Sequence, residues 1–355
     1  PAMIAANTVL GLTEIRAVRA TRDMIEPGLI NANVRAESSV NRDSGLFPVT
    51  RSNGVLFALS VPQTKGLIAG RSALMCLDGW TWEEMSLESA AALNVNWPNP
   101  NPRRGGRGGG RGGGAGDAPT YEERVQELKD FFAEARAYRD AVAAGEEVRS
   151  DSRYAAMIPA LNGEIPVVVA ADGAAQINDA ITWGQGEGVR IVIRGGRDAI
   201  HVADRLVSEN IPVILTSTMA APGRAYEGYD GAYSMPARLY EAGVKFAISG
   251  GAGALYTNRL PWEAGVAVAL GLPEEEAVKA VTINAAEFMG LDDRVGSLEP
   301  GKQATLLITT GTPLDMTSDI EQSYIQGREI DMMDIQKFFF EKYMQKVRQK
   351  RRVVS

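Results

Sequence analysis

The chain has 355 residues, 45% hydrophobic and 23% charged, which suits a globular protein with one large α/β unit plus a small appendage, or two ordinary units. A net charge of −7 and a pI near 5.1 give no overall attraction to nucleic acid or to an anionic membrane. Cys76 is the only cysteine, so an intrachain disulfide is excluded, and there is neither a signal peptide nor an apolar run long enough to cross a bilayer. The chain opens on Pro1 rather than methionine, as expected of a processed or incomplete chain. Its compartment (cytoplasmic, periplasmic or secreted) is therefore not readable.

Apolar runs rich in β-branched residues predict buried strands at Val55–Val61, Ile165–Ala171, Val189–Ile193, Ile211–Thr216 and Val244–Ser249. Helical patterns separate the later ones: Ala174–Gly184, Arg197–Glu209 and Ser234–Ala242. The alternation predicts a parallel α/β architecture and favours a closed (β/α)8 TIM-type barrel over residues 1–290, rather than an open sheet. Between Asn99 and Pro119 the composition becomes Gly/Arg-rich, as in Arg103-Arg104-Gly105-Gly106-Arg107. This predicts a disordered surface insertion, because such a stretch cannot bury apolar surface, and it lacks the interleaved aromatics of single-strand nucleic-acid binders. A helix follows, opened by a Thr120/Glu123 capping box and stopped near Gly145, with Val125, Leu128, Phe131, Phe132, Ala135 and Val142 on one face.

From Leu291 the pattern turns to short strands at Ala304–Thr309 and Ser323–Ile330, the second broken by a turn at Gln326-Gly327. Glu299-Pro300-Gly301-Lys302 suits a type II turn. Residues 291–331 thus predict a small β unit. Residues 332–355 form a basic helical tail in which Lys337, Lys342, Lys346, Arg348, Lys350, Arg351 and Arg352 face one acid, Glu341. Its Phe338, Phe339, Tyr343 and Val347 are expected to pack on the parent domain, with a membrane-surface helix as the alternative.

Leu260-Pro261-Trp262-Glu263-Ala264, Gly271–Ala277 and Ala280–Glu287 resemble the last barrel helices of the amidohydrolase superfamily, in particular its imidazolonepropionase-like branch, and Asp293–Lys302 resembles the start of the strand that follows them. Pro1-Ala2-Met3-Ile4-Ala5-Ala6-Asn7-Thr8-Val9 resembles its first barrel strand. The resemblance implies a (β/α)8 barrel with a small β-sandwich built from both chain ends. Here the N-terminal sandwich strands are missing, so a partial C-terminal sandwich is expected, completed by a partner chain or within a homo-oligomer.

The resemblance also implies a Zn²⁺ or other divalent ion at the barrel mouth that activates a water. This chain has one histidine, His201, two helical turns past the nearest ligand position and expected to be incidental. The implied ligand and proton-transfer positions fall on Asn7, Val9, Ala170 (or Asp172), Gly195 and Gly251. That pattern implies a degenerate metal site, no metal cofactor and a non-catalytic structural or ligand-binding subunit. Arg194 and Arg197 flank two glycines at a strand-to-helix junction and suit a small anionic ligand, with Asn7 nearby; alternatively Arg194 pairs with Asp172. Two other readings stand beside this one. In the first, Asp172, Asp78 and Asn7 hold a hard cation through waters and rebuild a hydrolase of C–N bonds, against the commoner role of Asp-Gly as a turn. In the second, the Gly/Arg loop and basic tail bind nucleic acid.

Overall fold

The computed structural model describes residues 1–100, 119–216, 218–251 and 253–354. Eight strands follow one another round a single sheet in chain order: Met3–Thr8 (β1), Val55–Ser60 (β2), Ile68–Cys76 (β3), Ser86–Asn96 (β4), Val167–Ala171 (β5), Ile191–Gly195 (β6), Val213–Leu215 (β7) and Phe246–Ile248 (β8). The eighth returns beside the first, so the sheet curls into a nearly closed TIM-type barrel. The helices are Leu46–Arg51 (α1), Trp82–Met85 (α2), Tyr121–Ala143 (α3), Ser152–Leu161 (α4), Ala174–Glu187 (α5), Ala203–Ser208 (α6), Gly231–Glu241 (α7), Leu260–Ala269 (α8), Glu274–Ala280 (α9), Ile283–Met289 (α10) and Ile335–Val354 (α11).

The five predicted strands all form, each trimmed at its ends or shifted by a residue or two. They are apolar throughout because both faces are buried. Val168, Val192, Ile214 and Ala247 fill the barrel interior with Ile4 and Phe57, while Val167, Val169, Ile193 and Val213 pack outward under the helices. Strands β3 and β4 were not anticipated. β3 runs antiparallel to both neighbours, pairing Phe57 with Cys76 and Arg71 with Leu93. The link from Ser60 to Ile68 is too short for the dozen or so residues of a parallel crossover. Consequently the C-terminal end of β3 points to the opposite end of the barrel from the C-terminal ends of the other seven.

Helix α3 starts as predicted. Glu123 N–H donates to Thr120 Oγ1 (3.2 Å) and Thr120 N–H donates to Glu123 Oε2 (2.7 Å). Leu128, Phe131, Phe132 and Ala135 are buried, and Phe132 meets Trp183 of α5 edge-on, centroids 4.8 Å apart. Val142, expected on that face, is exposed. The helix expected at Arg197–Glu209 divides into a 3-10 turn at Ala199–Val202 and then α6. Gly195 and Gly196 (φ +104° and +66°) carry the chain out of β6 in a left-handed conformation and delay the helix.

The later residues form a three-stranded antiparallel sheet of Leu306–Thr309 (β9), Ile320–Ile325 (β10) and Arg328–Glu329 (β11), in the order β11-β10-β9. Lys302 N–H donates to Glu299 O (3.2 Å) with Gly301 at φ +94°, closing the predicted turn. Gln326 and Gly327, both at positive φ, join β10 to β11 as a two-residue hairpin. Ala2 N–H donates to Thr305 O (3.2 Å), which ties this sheet to the start of β1. The tail forms a helix, but its side chains do not pack on the body as expected: Phe338, Phe339, Phe340, Tyr343 and Val347 are all exposed. The stretch expected to be Gly/Arg-rich and disordered lies, from 101 to 118, outside the described residues.

Cys76 ends β3 inside the barrel, and burial pushes its thiol up to about 12. Alkylation of the native protein at mildly alkaline pH is expected to be negligible and to become complete on adding denaturant; rapid labelling without denaturant would contradict this. Above the ordinary thiol value of 9.0 the unfolded chain loses a proton that the native chain keeps, so this group lowers stability as pH climbs from 9.0 towards about 12.

Candidate ligand site at the barrel mouth

The mouth is the end where β1, β2 and β4–β8 finish. Side-chain alternation decides which residues face into it. Val168 and Val192 point inward, so the next inward positions on β5 and β6 are Ala170 and Arg194, which are register partners. The inward residue at the top of β6 is therefore Arg194 and not the glycine after it.

Arg194 Nη1 donates to Asn7 Oδ1 at the end of β1, and Nη2 donates to Asn96 Oδ1 at the end of β4, each at 3.3 Å. Asn96 is oriented by its own amide, whose Nδ2 donates to Thr64 O (3.2 Å) and Gly66 O (3.1 Å), leaving Oδ1 to face the guanidinium. Asn7 is buried. Burial pushes the Arg194 pKa down to about 10, opposed by the negative charge of Asp172. The guanidinium is thus a fixed cation held by two neutral amides, with donors left over for a further acceptor.

The other predicted site residues are placed as follows. Asp172 is exposed at the end of β5, one step above Ala170. It acts on Arg194 through its charge, and the guanidinium's hydrogen bonds go to the asparagines instead. Asp78 follows β3 and so lies at the far end of the barrel, ion-paired with Arg51 and Arg328; it does not join Asp172 and Asn7. Arg197 is exposed and lies against Gly223 in the segment after β7. Val9 is buried in an apolar cluster outside the barrel. Gly250, at φ +69°, and Gly251 lie in the turn after β8. His201 is exposed on its 3-10 turn. Asn96 was not anticipated, because nothing marked Ser86–Asn96 as a strand.

Two buried contacts hold the rim. Thr8 Oγ1 and Thr257 Oγ1 share a 2.7 Å hydrogen bond between β1 and the segment after β8. Glu263 of α8, itself buried, accepts from Thr218 N–H (2.7 Å) and Thr218 Oγ1 (3.0 Å), fixing the exit from β7. Gly195 is also constrained: a Cβ there would lie 2.6 Å from Asp172 Oδ1 and 3.3 Å from Ala171 O, at a backbone conformation side chains rarely adopt. Gly195→Ala is expected to cost about 2 kcal/mol in urea denaturation; an unchanged midpoint would show that the β6 exit relaxes freely.

Among the described residues, no three His, Cys, Asp or Glu side chains come together as a metal site. Round Arg194 the oxygen donors are the amides of Asn7 and Asn96, with Asp172 acting through its charge, while Asp198 at the β6 exit is taken up by Arg224. That set does not fit the divalent ion implied by the resemblance.

Comparison with known proteins agrees with the architecture. A model of the amidohydrolase family matches residues 230–343. The imidazolonepropionase of Syntrophobacter fumaroxidans (strain DSM 10017 / MPOB) is 39% identical over 82 residues, covering 22% of this chain and 19% of that protein, so the match spans about a fifth of the relative's length. Among solved structures, an amidohydrolase from Thermotoga maritima MSB8 aligns with a TM-score of 0.82 and 25% identity over 93% of this chain and 86% of the other. Another amidohydrolase aligns over the same shares with a TM-score of 0.50 and 16% identity, a likeness of fold alone. The barrel, the strand order and these matches agree: the chain has the fold of the solved amidohydrolase and, over residues 230–343, the sequence pattern of the amidohydrolase family.

Proposed function

We propose that this chain is a non-catalytic amidohydrolase-fold subunit that needs no metal and binds a small anion at its barrel mouth. The observation that carries the reading is Arg194, a guanidinium held by Asn7 and Asn96 where a metal's ligands would converge. A resident divalent ion there would meet a fixed positive charge in a site of lowered dielectric. A carboxylate or phosphate would instead satisfy the remaining guanidinium donors. The free edge of β9, with Ile308 exposed, supports assembly with a partner chain or a second copy that completes the small sheet.

The competing reading, a hydrolase of C–N bonds, is supported by the amidohydrolase family match and by Asp172 at the mouth. Without Asp78 it would have to work from Asp172 and Asn7 alone. Asp172→Asn separates the two readings. Binding of inorganic phosphate or succinate, followed by calorimetry, is expected to tighten about threefold to tenfold once the neighbouring negative charge is gone. Turnover of cyclic amides or dipeptides by the parent chain, abolished by the same substitution, would instead establish the hydrolase. Nucleic-acid binding through the Gly/Arg stretch is set aside because that stretch lacks the interleaved aromatics on which bases would stack.

A further inference from the structure

The exposed stripe on α11 is the largest feature that the barrel mouth does not explain. Ile335, Phe339, Tyr343 and Val347 recur every fourth residue and so share one helix face, flanked by Phe338 and Phe340. All six are at least 42% exposed, whereas the aromatics of α3 are largely covered. The first turn of α11 is fixed to the body. Asp334 caps it, accepting from Gln336 N–H (2.7 Å) and Lys337 N–H (2.9 Å), and also accepts from Ser52 Oγ (2.6 Å). Among the described residues, no ion pair joins α11 to the barrel, although the rest of the chain is strongly acidic.

Charge on the tail is segregated in the opposite sense: seven bases against Glu341 between Ile335 and Ser355. Lys342 Nζ lies 5.8 Å from the centre of the Phe339 ring, so its stem runs along the aromatic stripe while its ammonium stays at the margin. No helix is long and apolar enough to cross a membrane among the described residues.

We propose that α11 docks flat on an anionic lipid surface, with the Ile335–Phe339–Tyr343–Val347 stripe in the acyl boundary and the lysines and arginines at the phosphate level. Charge selects this occupant. A second copy would set two strongly basic helices against each other, and a nucleic acid would meet a continuous apolar stripe rather than bases alternating with single stacking rings. The chain's overall acidity does not oppose docking, because attraction to the surface decays within a Debye length and only the tail need approach.

The test is flotation of the full chain with vesicles of phosphatidylcholine alone and of phosphatidylcholine with phosphatidylglycerol. Binding is expected on the mixed vesicles and to fall as salt is raised. Phe338→Ser with Phe339→Ser, and separately Lys342→Gln with Lys346→Gln, are each expected to weaken it about tenfold or more. These side chains are exposed, so an unchanged circular dichroism spectrum should accompany the loss. The proposal is overturned if the chain fails to float, if either double variant binds like the parent, or if α11 instead shifts RNA or drives dimerisation without lipid.

Discussion

Replacing Arg194 with methionine is expected to weaken binding of phosphate or succinate about tenfold to a hundredfold while changing folding stability little. A charge-assisted hydrogen bond contributes about 1.5–3 kcal/mol, so removing the guanidinium removes most of the affinity for an anion at this mouth. Stability responds differently because two effects oppose each other. The variant leaves Asn7 Oδ1 and Asn96 Oδ1 without their donor, at a cost of about 1 kcal/mol or more each. It also relieves the desolvation that holds the Arg194 pKa down. Methionine fills similar volume without a charge, so the net change should stay within about 2 kcal/mol. Calorimetric titration and urea denaturation of the same sample check both halves. Full retention of anion affinity would remove Arg194 from the site.

Glu263→Ala is expected to be the most destabilising change at the rim, by about 3 kcal/mol. The carboxylate is buried and accepts from both the amide and the hydroxyl of Thr218. Alanine leaves the Thr218 amide without a partner where water is scarce, while the Thr218 hydroxyl keeps only its bond to the Glu263 backbone oxygen (2.9 Å). Glu263→Gln keeps one acceptor oxygen and should cost only about 1 kcal/mol. Because Thr218 stands at the exit of β7, the alanine variant should also expose the segment after it, read as faster amide exchange between residues 218 and 230. Equal losses for the two variants would show that the charge, and not the acceptor, holds this segment.

Much of the barrel is legible in the sequence because its parallel strands are buried on both faces and read as unbroken Val/Ile runs, as at Val167–Ala171 and Ile191–Ile193. β3 and β4 are not legible for the converse reason. Ser86–Asn96 is mostly Ser, Ala and Asn, residues of low strand propensity, with Leu87, Leu93 and Val95 too scattered to make a run. In β3, Gly70 and Arg71 interrupt the pattern because Gly70 must let Val34 approach: a Cβ there would fall 2.8 Å from the Val34 side chain. The cost of missing them is local but functional. Asn96 goes unrecognised, and Asp78 is assigned to the wrong end of the barrel because an antiparallel β3 reverses it. Arg194 is visible from its position beside two glycines, but its inward orientation is not. Val192 and Ile193 are both apolar, so only the observed packing shows which of them shares a face with Arg194. The tail fails in the opposite direction: its amphipathic pattern is clear, yet the pattern alone does not say that the barrel leaves that face uncovered.

Metal content tests the account most directly. Protein purified without chelator and dialysed against Zn²⁺, Mn²⁺ or Fe²⁺ should carry far less than one equivalent of metal. Arg194→Met should not change that, because the surrounding donors are amides and an exposed carboxylate. One tightly held equivalent per chain, lost on substituting Asn7 or Asp172, would contradict the account and return the mouth to metal-assisted hydrolysis.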